Sequence, residues 1–98
     1  MERRGEPRIP TSFLAAELSS GDVRYRLVRD VSASGFSLVG GNAHLGGSIT
    51  MEFPLPGARE PVTVAGRIVR SENGHLGVRI EHASANWSRL LSHPAPRR

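Results

Sequence analysis

The sequence predicts an all-β domain, an antiparallel barrel of about six short strands that ends in a short helix. Apolar and polar residues alternate over most of the chain, which is the two-residue period of half-buried strands. Clusters of glycine, proline, asparagine and serine interrupt these runs about every eight to twelve residues. A chain of 98 residues can bury one core but not two. The pattern alone also fits an SH3-like or an OB-like barrel.

The N-terminal segment, residues 1–10, has no apolar periodicity, and we expect it to be a flexible, arginine-rich arm. Residues 11–18 predict the first strand, although residues 14–18 also fit a helical turn. A turn follows at 19–22, where two serines, a glycine and an aspartate are adjacent.

The second strand is predicted where Val23, Tyr25 and Leu27 alternate with Arg24 and Arg26. We interpret the two arginines as the solvated face of a half-buried strand. The apolar residues, Tyr25 included, are then expected to face the core.

The third strand is predicted at residues 36–39, and the turn after it at Gly40-Gly41-Asn42. The fourth strand has the clearest pattern in the chain. Ile49, Met51 and Phe53 alternate with polar residues, and prolines directly after Phe53 end the strand.

The fifth and sixth strands form a predicted hairpin around Asn73-Gly74, the pair that two-residue hairpin turns prefer. Gly66 interrupts the fifth strand and indicates a bulge or a tight bend. The inward-facing residues of the two strands are expected to be Val62, Val64, Ile68, Leu76, Val78 and Ile80.

The two-residue alternation stops after the sixth strand. Trp87, Leu90 and Leu91 fall at helical spacing, which predicts a short amphipathic helix within residues 83–91, with Ser84 as a possible N-cap. We expect Trp87 to close one end of the barrel.

The composition and the absence of certain motifs limit the classes of function that we expect. The chain has no cysteine, which fits a cytoplasmic protein, and it has neither a run of about eighteen apolar residues for a membrane span nor the apolar core of a signal peptide. The histidines lack zinc-ligand spacing, and no Gly-x-Ser-x-Gly elbow is present. We therefore expect no enzyme, no cofactor and no metal. The four histidines are His44, His75, His82 and His93.

All thirteen basic residues are arginines, and the formal net charge is +4. This balance suits an anionic partner, but codon bias in a GC-rich genome also produces it. Arg3, Arg4 and Arg8 stand apart, because they cluster in the arm. Guanidinium groups are forks of donors that suit phosphate oxygens or the O6/N7 edge of guanine.

A second polar stretch follows the second strand. Asp30 and Ser32 lie two residues apart, so they share a face if the strand persists through them, and Gly35 permits a sharp turn. Acceptors on a rigid strand, opposite a donor-rich arm, would suit a ligand that carries both guanine and phosphate.

Arg4-x-x-x-Arg8 followed by Asp30-x-Ser32-x-x-Gly35 resembles the RxxxR and (D/N)xSxxG motifs of PilZ domains, which are receptors for the bacterial second messenger cyclic di-GMP. The resemblance extends from Arg3 to about Leu91. It implies a six-stranded antiparallel β-barrel of PilZ type over residues 11–91, with the terminal helix included and a disordered tail over 92–98. The ligand-binding residues that it implies are Arg3, Arg4, Arg8, Asp30, Ser32 and Gly35.

The resemblance also implies a role for each residue. Arg4 and Arg8 would clamp phosphates and guanine, and Asp30 would accept from guanine N–H groups. Ser32 would bond a polar edge of the ligand or hold the loop, and Gly35 would allow the turn. The arm would fold over the ligand and change the surface that a downstream protein partner contacts.

The resemblance further implies a ligand contact by Arg3, directly before the motif, and through this position it implies a stacked pair of ligands over a single one. The partner and the process, such as motility, polysaccharide or biofilm control, are left open by the sequence.

Two other interpretations remain open. Asp30 and Ser32 could form a structural turn without any ligand. A basic barrel could instead bind nucleic acid or a protein partner without cyclic di-GMP, and nucleic-acid binding would require aromatic residues on an exposed strand face. Tyr25, Phe36 and Phe53 are expected in the core, which argues against nucleic acid.

Overall fold

The computed structural model describes residues 6–40 and 44–92. Six strands close into a barrel in the order β1-β2-β3-β6-β5-β4, and every neighbouring pair is antiparallel. The predicted six-stranded barrel with one short C-terminal helix is confirmed. The elements are β1 (Ile9–Ser19), β2 (Asp22–Val31), β3 (Gly35–Val39), β4 (Ser48–Phe53), β5 (Val62–Glu72), β6 (His75–Ala83) and α1 (Trp87–Ser92).

The barrel encloses one core, whose centre is a cluster of aromatic rings. Phe53 packs edge-on against Phe36 and Trp87, with ring centroids 5.0 and 5.1 Å apart, and Phe13 approaches it at 6.0 Å. Edge-to-face geometry of this kind places the positive ring edge on the negative face of the next ring. Met51 beside them is fully buried, as the alternation in β4 predicted.

The inward and outward faces of β2 are the reverse of the predicted ones. Val23, Tyr25 and Leu27 are exposed, so the prediction that Tyr25 lies in the core is wrong. The cause is a bulge: Val28 pairs with Leu38 while Asp30 pairs with the adjacent Ser37, so one extra residue is inserted into β2. The bulge lets Val28 and Val31 both face the core, and the alternation counted back from Val28 turns the residues at 23, 25 and 27 outward.

The inner face of the β2 start carries Arg24 and Arg26, not apolar residues. Arg24 is 66% exposed, as expected of a solvated residue. The Arg26 Nε donates to Glu17 Oε1 over 2.7 Å, and these two side chains are half-buried. The expectation that Arg26 lies on a solvated face is therefore wrong, and the ion pair with Glu17 satisfies its charge at the end of the barrel.

The β5–β6 hairpin has the predicted irregularities. The pairing shifts between Ala65 and Gly66, where a bulge was expected, and the backbone of Gly66 lies close to β6. Asn73 and Gly74 have φ angles of 50° and 75°, which is the left-handed pair that a type I′ turn requires.

The helix is shorter than predicted, and Ser84 is not its N-cap. The Ser84 Oγ accepts from the Thr63 backbone N–H, and the Ser84 N–H donates to the Thr63 carbonyl. Ser84 therefore extends the pairing of β5 with the end of β6. The helix begins directly after Asn86, whose carbonyl accepts a hydrogen bond from the Leu90 N–H over 3.2 Å.

Within the described ranges, no helix is long and apolar enough to cross a membrane. Several predicted features lie outside those ranges: residues 1–5 of the arm, two residues of the turn at 40–42, and residues 93–98 of the tail. Arg3 and Arg4 are among them.

Candidate ligand-binding site

The turn between β2 and β3 is fixed by hydrogen bonds at both ends. The Ser32 N–H and its Oγ both donate to the Gly35 carbonyl, over 2.8 and 3.3 Å. The Trp87 Nε1–H donates to the Ser32 carbonyl over 3.1 Å, and the Ile80 N–H donates to the Ser34 carbonyl over 2.8 Å. Ser32 is only 1% exposed, so it holds the loop. The strand ends at Val31, one residue before it.

Gly35 is required for a different reason from the predicted one. Its φ is not in the left-handed region. A Cβ at this position would lie 2.3 Å from the Val78 carbonyl oxygen on β6. The glycine therefore allows β3 and β6 to pack closely, and the idea that it serves a positive-φ turn is wrong.

Asp30 presents an acceptor with no hydrogen-bond donor. Its Oδ1 is 3.4 Å from the Arg8 Nη2, which is an ion pair by distance. The atom is nevertheless buried without a hydrogen bond from any described residue. Buried polar atoms without a partner are rare, and a ligand is one reason for them.

Arg8 lies across the outer surface of the sheet, between the turn and β3. Its Nη2 is also 3.4 Å from the Ser37 Oγ, and its side chain is 47% exposed. The neighbouring Glu6 accepts from the Ser34 Oγ over 2.7 Å. The described part of the arm is thus held against the barrel with a guanidinium group beside Asp30.

Two adjoining clefts open beside Arg8. The smaller cleft has a volume of about 290 Å³ and is lined in part by Arg29, Asp30, Ser37 and His75. The larger cleft has a volume of about 510 Å³, within the ~300–1,000 Å³ range of small-molecule sites. It is lined by the turn of the second motif and by residues of β5 and β6. Its lining residues include Glu6, Ser32, Ser34, Gly35, Val69, Val78 and Arg79.

Arg8, Arg70 and Gly77 line both clefts and form their common floor. Gly77 pairs with Arg70 across the β5–β6 ladder. A Cβ on Gly77 would come within 3.2 Å of the Cβ, Nε and Nη2 of Arg70. The Arg70 side chain therefore lies against the bare backbone of Gly77, which leaves a guanidinium group over a flat surface.

Sequence analysis missed Arg70, Arg29 and Arg79. Arg70 and Arg79 read as ordinary outward-facing residues of strands, and only the pairing of β5 with β6 brings them to the motif. One signal was present: Gly77 stands inside an apolar strand pattern, where glycine often marks a close approach.

Two opposed arginines near the larger cleft, Arg67 and Arg79, differ in how their charge is offset. Arg67 and Arg79 are directly opposite on β5 and β6. The Arg67 Nε donates to the Glu81 Oε2 over 2.8 Å, and this hydrogen bond holds the pKa of the Glu81 carboxyl below its usual range. Glu81 thus offsets the charge of Arg67, while Arg79 lines the cleft.

The structure therefore brings Arg8, Asp30, Ser32 and Gly35 to one surface of the barrel, and Arg3 and Arg4 lie outside the described residues. Across the part of the chain that the structure describes, no three histidine or carboxylate side chains gather as a metal site would require. The site offers guanidinium donors, a carboxylate acceptor and a glycine floor, which suit an anionic, planar ligand.

Fold and candidate site together describe a small β-barrel domain with two arginine-lined clefts on its outer surface. The family model described as the PilZ domain matches residues 2–93. The chain belongs to the PilZ domain family, which confirms the resemblance drawn from the two motifs.

Among solved structures, the chain is similar to the Bacillus subtilis inhibitor of motility, MotI/DgrA, with a TM-score of 0.71 and 16% sequence identity. The match covers 97% of this chain and 55% of the other, so the chain spans about half the length of that protein. At this identity the likeness concerns the fold. No curated protein matches the chain.

Proposed function

We propose that this PilZ domain is a receptor for cyclic di-GMP that alters its surface on binding and thereby regulates a protein partner. The observation that carries the proposal is the pairing of Arg8 with Asp30 at the border of two clefts. Asp30 Oδ1 is buried there without a hydrogen bond from the described residues. The family membership supports the ligand class.

The chemistry of guanine matches the acceptor and the donor. Guanine carries N–H donors on one edge and the O6 and N7 acceptors on another, so Asp30 would accept from the first and an arginine fork would donate to the second. Arg8 would bind O6/N7 or a phosphate oxygen, and each good bidentate contact is worth roughly 1–3 kcal/mol. Ser32 would act by holding the loop, since it is buried in its own hydrogen bonds.

Arg70 extends the site beyond the two motifs. Because its guanidinium lies over Gly77 between the clefts, it would offer a planar cation on which a guanine base can stack. Arg29 and Arg79, one in each cleft, would contribute to phosphate binding.

Two clefts that share one floor have room for more than one base. We propose that a stacked pair of ligands binds, with Arg3 and Arg4 supplying further phosphate or guanine contacts. The arm would close over the ligand from the side of Arg8, and this ordering would present a new surface to the partner.

Within the cell, we propose a cytoplasmic receptor and adaptor without enzymatic activity. One solved structure that it resembles is an inhibitor of motility. Motility control is therefore the first process to test, beside polysaccharide and biofilm control.

Calorimetric titration with cyclic di-GMP tests the proposal, with GTP and the linear dinucleotide as competing ligands. Arg8→Ala should abolish saturable binding, because it removes the donor beside Asp30. Arg59→Ala is the matched control: it removes the same charge from an exposed loop residue that lines neither cleft. The stoichiometry distinguishes one ligand from a stacked pair.

Absence of binding by the wild type well above micromolar concentrations would reject the receptor and leave Asp30 and Ser32 with a structural role. An equal loss of affinity for cyclic di-GMP in Arg8→Ala and Arg59→Ala would show that net charge, and not a specific contact of Arg8, affects binding.

One observation favours the alternative of nucleic-acid binding, and two observations argue against it. Tyr25 lies on an exposed strand face, as base stacking requires, whereas Phe36 and Phe53 are buried. A basic nucleic-acid binder would lose affinity steeply with salt and would ignore cyclic di-GMP. Titration of a single-stranded oligonucleotide at two salt concentrations separates the two functions.

A further inference from the structure

Near the turn between β1 and β2, the outer surface of the hairpin is apolar and uncharged. Residues that pair directly across two antiparallel strands share a face. Three consecutive same-face pairs on this hairpin are apolar on both sides. The pairs are Leu14 with Leu27, Ala16 with Tyr25, and Leu18 with Val23, and these six residues form what we call the apolar ribbon face.

The apolar ribbon face is exposed to solvent. Tyr25 is 69% exposed, Leu14 56%, Val23 53% and Leu27 40%. None of these side chains lines either ligand cleft. Near the turn, the charged residues Glu17, Arg24 and Arg26 lie on the opposite face, where the Glu17–Arg26 ion pair is half-buried and Arg24 is exposed. The hairpin therefore exposes large apolar side chains to water while the Glu17–Arg26 ion pair is half-buried, and an exposed apolar patch of this kind often marks an interaction site.

We infer that a second copy of this chain covers the apolar ribbon face, so that the protein forms a two-fold symmetric dimer through stacked hairpins. A two-fold interface uses the same patch on both subunits, which an uncharged patch permits without opposing like charges.

The exposed apolar area of this face is large enough for a second copy of the chain to bind there. From the exposed fractions, the four large side chains present about 400 Å² of accessible apolar surface. A standard interface buries about 800 Å² per partner, of which roughly 56–65% is apolar. The apolar ribbon face, with the half-buried Leu18 and Ala16, thus supplies nearly all the apolar area that one side of such an interface needs.

The borders of the patch carry opposite charges. Glu52 on β4 pairs with Ala16 at one border, and Arg29, two residues after Leu27, lies at the other border. A rim with one acidic and one basic side is compatible with self-pairing, because a two-fold axis can bring the acidic side of one copy to the basic side of the other.

This inference stands apart from cyclic di-GMP binding, since the six residues of the apolar ribbon face lie outside the clefts and the border residue Arg29 alone lines one of them. Association is expected without ligand, so failure of the proposed receptor function would leave it intact.

Sedimentation equilibrium of the ligand-free protein tests it over about 1–500 μM, the range of weak to moderate dimers. We expect a concentration-dependent shift from monomer to dimer. Tyr25→Glu should weaken association at least tenfold, because it places a charge at the centre of the patch. Leu45→Glu is the matched control, as Leu45 is 65% exposed in the β3–β4 loop and outside the hairpin.

Val23→Asp gives a second, independent test on the same face, and circular dichroism melting checks that each variant is folded. A wild-type protein that is monomeric at every concentration would overturn the proposal. So would a dimer that survives both hairpin substitutions in folded variants, or one that Leu45→Glu disrupts equally.

Discussion

Gly77 shows how a single missing side chain shapes the candidate site. It lies in β6 on the outer surface of the barrel, and the Arg70 side chain rests against its backbone. At 3.2 Å, the closest approach of a new Cβ would be tighter than ordinary van der Waals contact. A methyl group would therefore push the Arg70 guanidinium away from its position between the clefts, while Arg70, being exposed and flexible, could move without unfolding the strand.

We expect Gly77→Ala to weaken cyclic di-GMP binding about three- to tenfold while changing the free energy of unfolding by less than about 1 kcal/mol. The physical reason is the displacement of Arg70, whose stacking contact is worth about 0.5–2 kcal/mol. Calorimetric titration and urea denaturation measure the two effects.

A double-mutant cycle with Arg70→Ala provides the control for this mechanism. If Gly77 acts through Arg70, Gly77→Ala has little further effect once Arg70 is gone. Additive losses in the double variant would contradict the displacement and indicate that Gly77 contacts the ligand by itself.

The β5–β6 pair carries an electrostatic contact that makes its stability depend on pH. Arg67 donates to Glu81 through Nε and Nη2, over 2.8 and 3.3 Å. The hydrogen bond lowers the pKa of the Glu81 carboxyl in the folded state, while in the unfolded chain that pKa returns to its ordinary value. Because this pKa is lower in the folded state, the contact stabilises the fold at pH values above the unfolded-state pKa. The stabilisation is lost as the pH falls through the folded-state pKa.

We therefore expect Glu81→Gln to be less stable than the wild type at pH 7, with the difference shrinking as pH falls below about 4. Urea denaturation midpoints at several pH values measure it. Glu60→Gln, a substitution in the exposed loop before β5, should show no such dependence. A stability difference between Glu81→Gln and the wild type that stays constant down to pH 3 would contradict a role for the carboxylate charge.

The elements also show how far the sequence predicts the structure. Strand β4 and the Asn73-Gly74 turn are local patterns, and both were predicted correctly. The faces of β2 were not, because the bulge at Arg29 adds one residue without leaving any mark in the composition. Ser84 was misassigned for a similar reason: its hydroxyl serves the pairing with Thr63, which is distant in sequence.

The same distinction holds for the site. Arg8, Asp30, Ser32 and Gly35 could be named from spacing, since each motif is a short local stretch. The contribution of Arg70 depends on the pairing of β5 with β6, and no short motif encodes such a contact. Long-range pairing thus determines which strand residues join the motifs.

At the scale of the whole molecule, the site is assembled from distant parts of the chain. Arg8 precedes β1, Asp30 lies one residue before the end of β2, and Arg70 lies on β5. A ligand that bridges these elements binds the closed barrel and loses its site when the barrel opens. Binding to the folded state alone stabilises it by mass action, by about 2.7 kcal/mol at a hundredfold excess over Kd.

We accordingly expect cyclic di-GMP at a hundredfold excess over Kd to raise the Tm of the wild type by about 11–22 °C, given the size of the domain. The shift should grow with ligand concentration, and it should be absent with GTP or in Arg8→Ala. Differential scanning calorimetry at several ligand concentrations measures it. A shift of equal size in Arg8→Ala would mean that the ligand binds elsewhere on the barrel, because the Arg8–Asp30 border could then contribute nothing to recognition.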